Sequence, residues 1–222
     1  EFYFARQKKG EASKNLGIRL EQGSWKTFME EPNTGEMFIS PDNKTMFLGN
    51  TYRERTATGW SEEKSLGTPY DQIPVMRLTS SALGTYVFDE RDSIGTLRMS
   101  TIKNGIREEP IEMQNIFKSG AFIAHPFIAA DESYIIWDCE KEDGYGSSDL
   151  YISFRKKDGS WGTALNMGKD INSDMEDSYG SVTSDGKYFI FHRVKLGETF
   201  EESYANIFWV DAQIIENLRP EN

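Results

Sequence analysis

The sequence predicts an all-β fold, a β-propeller of four-stranded antiparallel blades, and three observations carry that prediction. One hairpin is written several times. "ISPDNKTMFLG" at 39–49, "IAADESYIIWD" at 128–138 and "VTSDGKYFIFH" at 182–192 share an apolar start, a central Asp and an apolar run rich in aromatics, and "LTSSALGTYVFDE" at 78–90 is a fourth copy. Glycine turns follow at "QGSW", "TGW", "NGI" and "DGSW", and the steps between Gly23, Gly59, Gly105 and Gly159 are 36, 46 and 54 residues. Those steps bracket the roughly 40 to 50 residues of a propeller blade. No segment sustains a helical period except a short "DAQIIENL" at 211–218.

Each unit reads as strand, turn, strand, loop, strand, Gly turn, strand, and the units run 1–33, 34–71, 72–119, 120–174 and 175–222. The first opens inside the strand-like "EFYFARQ" without an innermost strand, so a leader, a lipid anchor or further fold is expected upstream. In the second, the third strand follows Arg53 almost at once; in the third, "TSSALG" lacks the turn Asp. The fourth is the clearest, with "FIAHPFIAA", "SYIIWD", "DLYISFR" and "WGTALNM" as its four strands. Period-two alternation in "DLYISF" and "YFIFH", with many β-branched and aromatic residues, describes half-buried antiparallel strands. The fifth lacks its outermost strand and ends in one or two helical turns at 211–218, with Asp211 as the expected N-cap.

Such sheets bury both faces only by stacking on their neighbours, and radial closure leaves few exposed edges. The favoured ring has five blades closed by the two termini in a shared blade; a six-bladed type with a partial first blade is the alternative. A β-sandwich fits the strand content but not the repeat length.

Composition narrows the function. At 222 residues, 37% hydrophobic, the chain has enough apolar material for one sizeable core. A net charge of -11, with no basic stripe, argues against a nucleic-acid partner. The longest apolar runs are about five residues, far short of a membrane span. A lone Cys139 excludes an internal disulfide and a Cys-rich zinc site, and two histidines, His125 and His192, exclude a multi-histidine metal centre.

Up-and-down topology sorts the loops onto two faces. One face collects the Asp turns (Asp42, Asp131, Asp185), where a carboxylate can accept a downstream backbone N–H, and the Gly–Trp turns, whose Trp25, Trp60 and Trp161 should cover blade edges. The opposite face collects loops that differ between units, which is where binding usually resides. It carries Arg6, Asn50, Arg53, Glu90, Arg91, Asp138, Glu140, His192 and Arg193, with His125 just before an innermost strand beside the channel mouth.

Arg53 and Arg193 offer bidentate forks for a carboxylate, phosphate or sugar acid, or else pair with acids such as Glu90 and Asp138. In "EKEDGYGSSD" (140–149), Gly144 and Gly146 free the backbone and Tyr145 offers a stacking face for a sugar. Asp149, Asn15 and Asn206 occupy matching places and suggest a shared blade hydrogen bond. "DINSDMED" (170–177) alternates Asp170, Asn172, Asp174 and Glu176 as a calcium loop would, yet lacks the Gly and Glu of an EF-hand; no cofactor is expected, with calcium at this run as the minor alternative. No G-x-S-x-G elbow is present, and Glu90, Asp138 and Glu140 are the carboxylates available for glycosidase chemistry.

"ISPDNKTMF", "SDGKYFIF", "HPFIAADESYIIWD", "GYGSSDLYISFRKKDGSW" and "NIFWVDAQIIENLRP" resemble the TolB-like, WD40-like propeller repeats of bacterial envelope proteins, over nearly the whole chain. The resemblance implies an exported protein, periplasmic or extracellular. The expected role is a non-catalytic, monomeric binding or scaffold module that recognises a protein or glycan, using Arg53, Glu90, His125, Asp138, Glu140, Tyr145, His192 and Arg193. The alternative is a carbohydrate-active hydrolase or lyase using rim carboxylates with His125.

Overall fold

The computed structural model describes residues 1–91, 95–113, 115–118, 120–199 and 202–220. It is a propeller ring of five antiparallel blades, and each blade is a run of consecutive strands.

Blade one holds β1 (Phe2–Arg6), β2 (Lys14–Glu21) and β3 (Ser24–Pro32). Blade two holds β4 (Met37–Ile39), β5 (Thr45–Leu48) and β6 (Thr51–Thr56), with β7 (Gly59–Trp60) and β8 (Lys64–Ser65) both paired to β6. Blade three holds β9 (Val75–Ser80), β10 (Tyr86–Glu90) and β11 (Leu97–Ser100). A small hairpin of β12 (Ile102–Lys103) and β13 (Ile106–Arg107) precedes its outer strand β14 (Ile111–Glu112), so the Gly105 turn belongs to an inserted hairpin rather than to the last blade turn. Blade four holds β15 (Ala121–Ile128), β16 (Tyr134–Glu140), β17 (Asp149–Phe154) and β18 (Leu165–Asn166). Blade five holds β19 (Glu176–Val182), β20 (Tyr188–Lys195) and β21 (Tyr204–Asp211), followed by α1 (Gln213–Asn217).

The termini do not share a blade: β1 and β21 lie in separate three-stranded sheets. Asp211 also stands one residue ahead of its expected place, since Ala212 is the helix N-cap while the Asp211 carboxylate accepts the Gln213 N–H at 2.9 Å.

Turn chemistry explains the strand reversals. Asp42, Asp131 and Asp185 accept backbone N–H bonds from Lys44, Ser133 and Lys187 at 3.1, 3.0 and 3.2 Å. Where blade three lacks the Asp, the Ser81 hydroxyl accepts the N–H groups of Leu83 and Thr85, and it donates to Glu132 of blade four. Trp161 is buried against Phe117 and Trp60 stacks under Arg55, but Trp25 is 59% exposed.

Blade four is sealed on both faces. Ile135, Trp137, Cys139 and Tyr151 pack toward blade three, whereas Ile136, Leu150, Ile152 and Phe154 join the cluster with Phe189 and Phe191 of blade five. Every residue of β17 is buried, so "DLYISF" is not the half-buried strand its alternation suggested. A side chain such as Ile135 or Ile136, taken wholly out of water, contributes about 1.5–3 kcal/mol. Stacking therefore fixes the radial positions of the inner strands: β4 packs on β9, β9 on β15, and β15 on β19.

Candidate functional site

Those four inner strands bring Arg77, His125 and Tyr179, with Glu36 just ahead of β4, together around the axis. His125 lies within β15 rather than before it, and it and Tyr179 adopt positive φ values of 49° and 58° at breaks in strand register. Such bulges re-aim a side chain out of the alternating pattern.

Two buried carboxylates hold the bulges in place across blade boundaries. Asp89 on β10 accepts the backbone N–H of Arg77 in its own blade at 2.8 Å and that of His125 in the next at 2.7 Å. Asp138 on β16 accepts the N–H of Tyr179 from blade five at 3.1 Å, and both its oxygens lie 3.0 Å from His125 Nδ1. The Tyr179 ring is then stacked between two histidines, 3.6 Å from His125 and 4.9 Å from His192, while its hydroxyl donates to Glu36 at 2.8 Å.

The two histidines sit in opposite electrostatic settings. Burial alone would lower the His125 pKa, but Asp138, Glu36 and Asp89 outweigh it and raise it to about 9. His192 is pushed down to about 4 by burial, with the positive charges of Arg77 and His125 adding to the effect. Near neutral pH the stack thus holds one imidazolium and one neutral imidazole. Burial, with Glu36 nearby, raises Asp89 to about 6 against the opposing effect of His125.

The other expected site residues are placed as follows. Arg53 does not meet Glu90 or Asp138; it pairs with Glu31 at 2.6 Å and Glu63 at 3.5 Å. Arg193 pairs with the fully buried Asp177 at 2.7 Å and donates to the Ile171 carbonyl at 2.7 Å. Glu90 is bound to Arg98. Glu140 ends β16 half-buried, and Tyr145 stands 50% exposed on the β16–β17 loop, whose backbone is pinned by Asp149 accepting the N–H groups of Tyr145 and Gly146. Asn15 donates to the Gly35 carbonyl, whereas Asn206 lies exposed on β21. The Asn172 amide is engaged with both backbone groups of Leu150, and among the described residues no group of three or more His, Cys, Asp or Glu is arranged to hold a metal ion.

Sequence reasoning found His125, His192 and Asp138 but missed Glu36, Arg77, Asp89 and Tyr179. One signal was available. An acid recurs near the end of the second strand in adjacent units, in "YVFDE" and "YIIWD", but counting from Tyr86 and Tyr134 matches Asp138 to Glu90, and it is the register shift between Phe88 and Glu90 that gives Asp89 the role.

No family model matches this chain, and no curated protein matches it. Solved structures share its fold. TolB from Acinetobacter baumannii aligns over 95% of this chain and 49% of its own at 12% identity, with a TM-score of 0.50. The K499G mutant of the NanB sialidase from Streptococcus pneumoniae aligns over 91% and 36%, at 11% identity and a TM-score of 0.51. The chain therefore spans about half the TolB chain it matches and has a TolB-like propeller fold. Among the described residues no helix is long and apolar enough to cross a membrane.

Proposed function

We propose that this protein is a non-catalytic propeller module of the bacterial envelope, exported to the periplasm or beyond, that recognises a protein or glycan at the channel-mouth face. One observation carries the reading: Arg77, His125 and Tyr179 on three inner strands, with Glu36 just ahead of a fourth, converge on one axis and are held by hydrogen bonds within and between blades. Preorganised polar groups of this kind lose little entropy on binding. Two of the three carboxylates that glycosidase chemistry would use are engaged elsewhere, Glu90 by Arg98 and Asp138 by His125 and the Tyr179 backbone, which leaves Glu140 without its pair.

The test is a screen of the full chain against a glycan array and a panel of envelope proteins. The double variant Tyr145→Ala/Glu140→Gln changes the mouth face, and Trp25→Ala changes an exposed residue of the opposite face. Saturable binding lost in the first and kept in the second supports the reading. Binding lost only in Trp25→Ala, or release of reducing sugar from any glycan, overturns it.

A further inference from the structure

Among the described residues, one charge at the axis has no counter-charge in contact with it. Arg77, on β9, is 7% exposed. Its Nε is sealed from solvent without a hydrogen-bond partner, and among the described residues no carboxylate forms an ion pair with its guanidinium. Among the described residues its close partner is the Tyr179 ring, whose centroid lies 5.5 Å from the guanidinium carbon. Other shielded arginines are engaged: Arg53 with Glu31, Arg98 with Glu90, Arg193 with Asp177, and Arg107 with the Gly84 carbonyl. Burying a charge without a partner is costly, so an unpaired guanidinium at this depth needs another reason to persist.

A second unsatisfied atom borders the same ring. Tyr179 donates its hydroxyl to Glu36 Oε1, while Glu36 Oε2 is buried with no hydrogen-bond partner. Around Tyr179 the wall therefore offers a free donor fork from Arg77 and a free acceptor from Glu36. The two buried aspartates beside it are spent, while His125 Nε2 faces Glu36 Oε1 at 3.9 Å. Asp89 holds two backbone N–H groups, Asp138 holds His125 and Tyr179, and His192 stacks on the ring.

We infer that Arg77 and Glu36 form a subsite for a small carboxylate carrying an adjacent hydrogen-bond donor, the chemistry of an α-amino or α-hydroxy acid. The planar guanidinium fork matches a carboxylate, and the donor beside it satisfies Glu36 Oε2. Charge favours this class over a phosphate: Asp89, Asp138 and Glu36 already surround the site, and a dianion would be repelled more strongly than a monoanion or zwitterion. The inference deepens the recognition role proposed for the channel mouth and rests on it.

The test titrates the full chain with acetate, lactate and glycine, reading the Arg77 Nε–Hε resonance and the calorimetric affinity. Expected are a shift of that resonance with all three and an affinity for lactate or glycine about tenfold above that for acetate, the worth of one added hydrogen bond to a charged group. Arg77→Met should abolish binding and Glu36→Gln should remove the preference over acetate. Arg77→Lys keeps the charge without the fork and should weaken all three ligands. If Arg77→Met does not fold, the wild-type resonance still decides. Equal affinity for all three probes overturns the role of Glu36, and an unmoved Arg77 resonance overturns the subsite. Should that resonance stay still while the Tyr145→Ala/Glu140→Gln variant loses a macromolecular partner, the subsite fails and the module reading stands.

Discussion

The Asp89 carboxylate reaches across a blade boundary to accept the backbone N–H of His125 at 2.7 Å. The same contact recurs one blade on, where Asp138 takes the N–H of Tyr179 at 3.1 Å. Each bulged inner strand is thus held by the second strand of the blade before it. A bulge leaves an unpaired N–H that must find an acceptor, and a buried carboxylate supplies one.

Asp89→Asn should destabilise the fold by about 1–3 kcal/mol, because an amide can present only one acceptor oxygen to the N–H groups of Arg77 and His125. Urea unfolding followed by tryptophan fluorescence measures it. The His125 midpoint should fall in the same variant, since the Asp89 charge helps to raise it. A variant as stable as the parent, with an unmoved His125, removes the stitch from the argument.

The two histidines should titrate far apart. For His125 the folded midpoint of about 9 lies above the ordinary 6.5, so its stabilisation is complete below about pH 6.5 and is lost as pH rises toward 9. His192 runs the other way: with a folded midpoint near 4, its contribution is complete above about pH 6.5 and is lost as pH falls toward 4. Asp89, raised to about 6 from 3.8, adds a contribution that is complete below 3.8 and lost as pH climbs through 6. It partly offsets His192 in acid. Imidazole proton shifts recorded across pH should show one midpoint near 9 and one near 4; two overlapping curves near 6.5 would contradict the stack.

Arg193→Ala should cost about 3–5 kcal/mol, because it strands the fully buried Asp177 carboxylate, which among the described residues otherwise keeps only Ser173 as a partner. Arg193→Ala/Asp177→Ala should recover part of that loss. Thermal unfolding of the single and double variants decides the matter, and a single variant that melts like the parent would return Arg193 to the pool of free ligand-binding arginines.

Gly180→Ala should destabilise by about 1–3 kcal/mol through overpacking alone. A Cβ there would lie 2.9 Å from Ile136 Cγ2 and from Leu150 Cδ2, and 3.1 Å from Phe189 Cε2, inside the seam between blades four and five. Pairing the change with Leu150→Val, which removes Cδ2, should relieve part of the overpacking; chemical denaturation of both variants would show otherwise if neither moved.

Particular residues show how far the sequence carried the reading. Asp42, Asp131 and Asp185 were legible because their bonds run to backbone two residues away. Ser81 was harder to see, since its hydroxyl serves the same turn without the expected carboxylate. Arg53 and Arg193 were placed on a charged rim, yet their partners Glu31, Glu63 and Asp177 lay outside the set weighed for them. Arg77 gave no warning, being one charge in a short apolar strand.

By itself the sequence determined the blade: its length, its reversals and its strand composition follow from period-two patterning and from side-chain bonds to nearby backbone, both of which act between close neighbours along the chain. Only the tertiary structure decided which charges meet. Glu36, Arg77, His125 and Tyr179 lie roughly one blade apart in sequence and converge because apolar seams stack the sheets about a common axis. Which carboxylate then reaches which N–H depends on that radial geometry, and no local pattern records it.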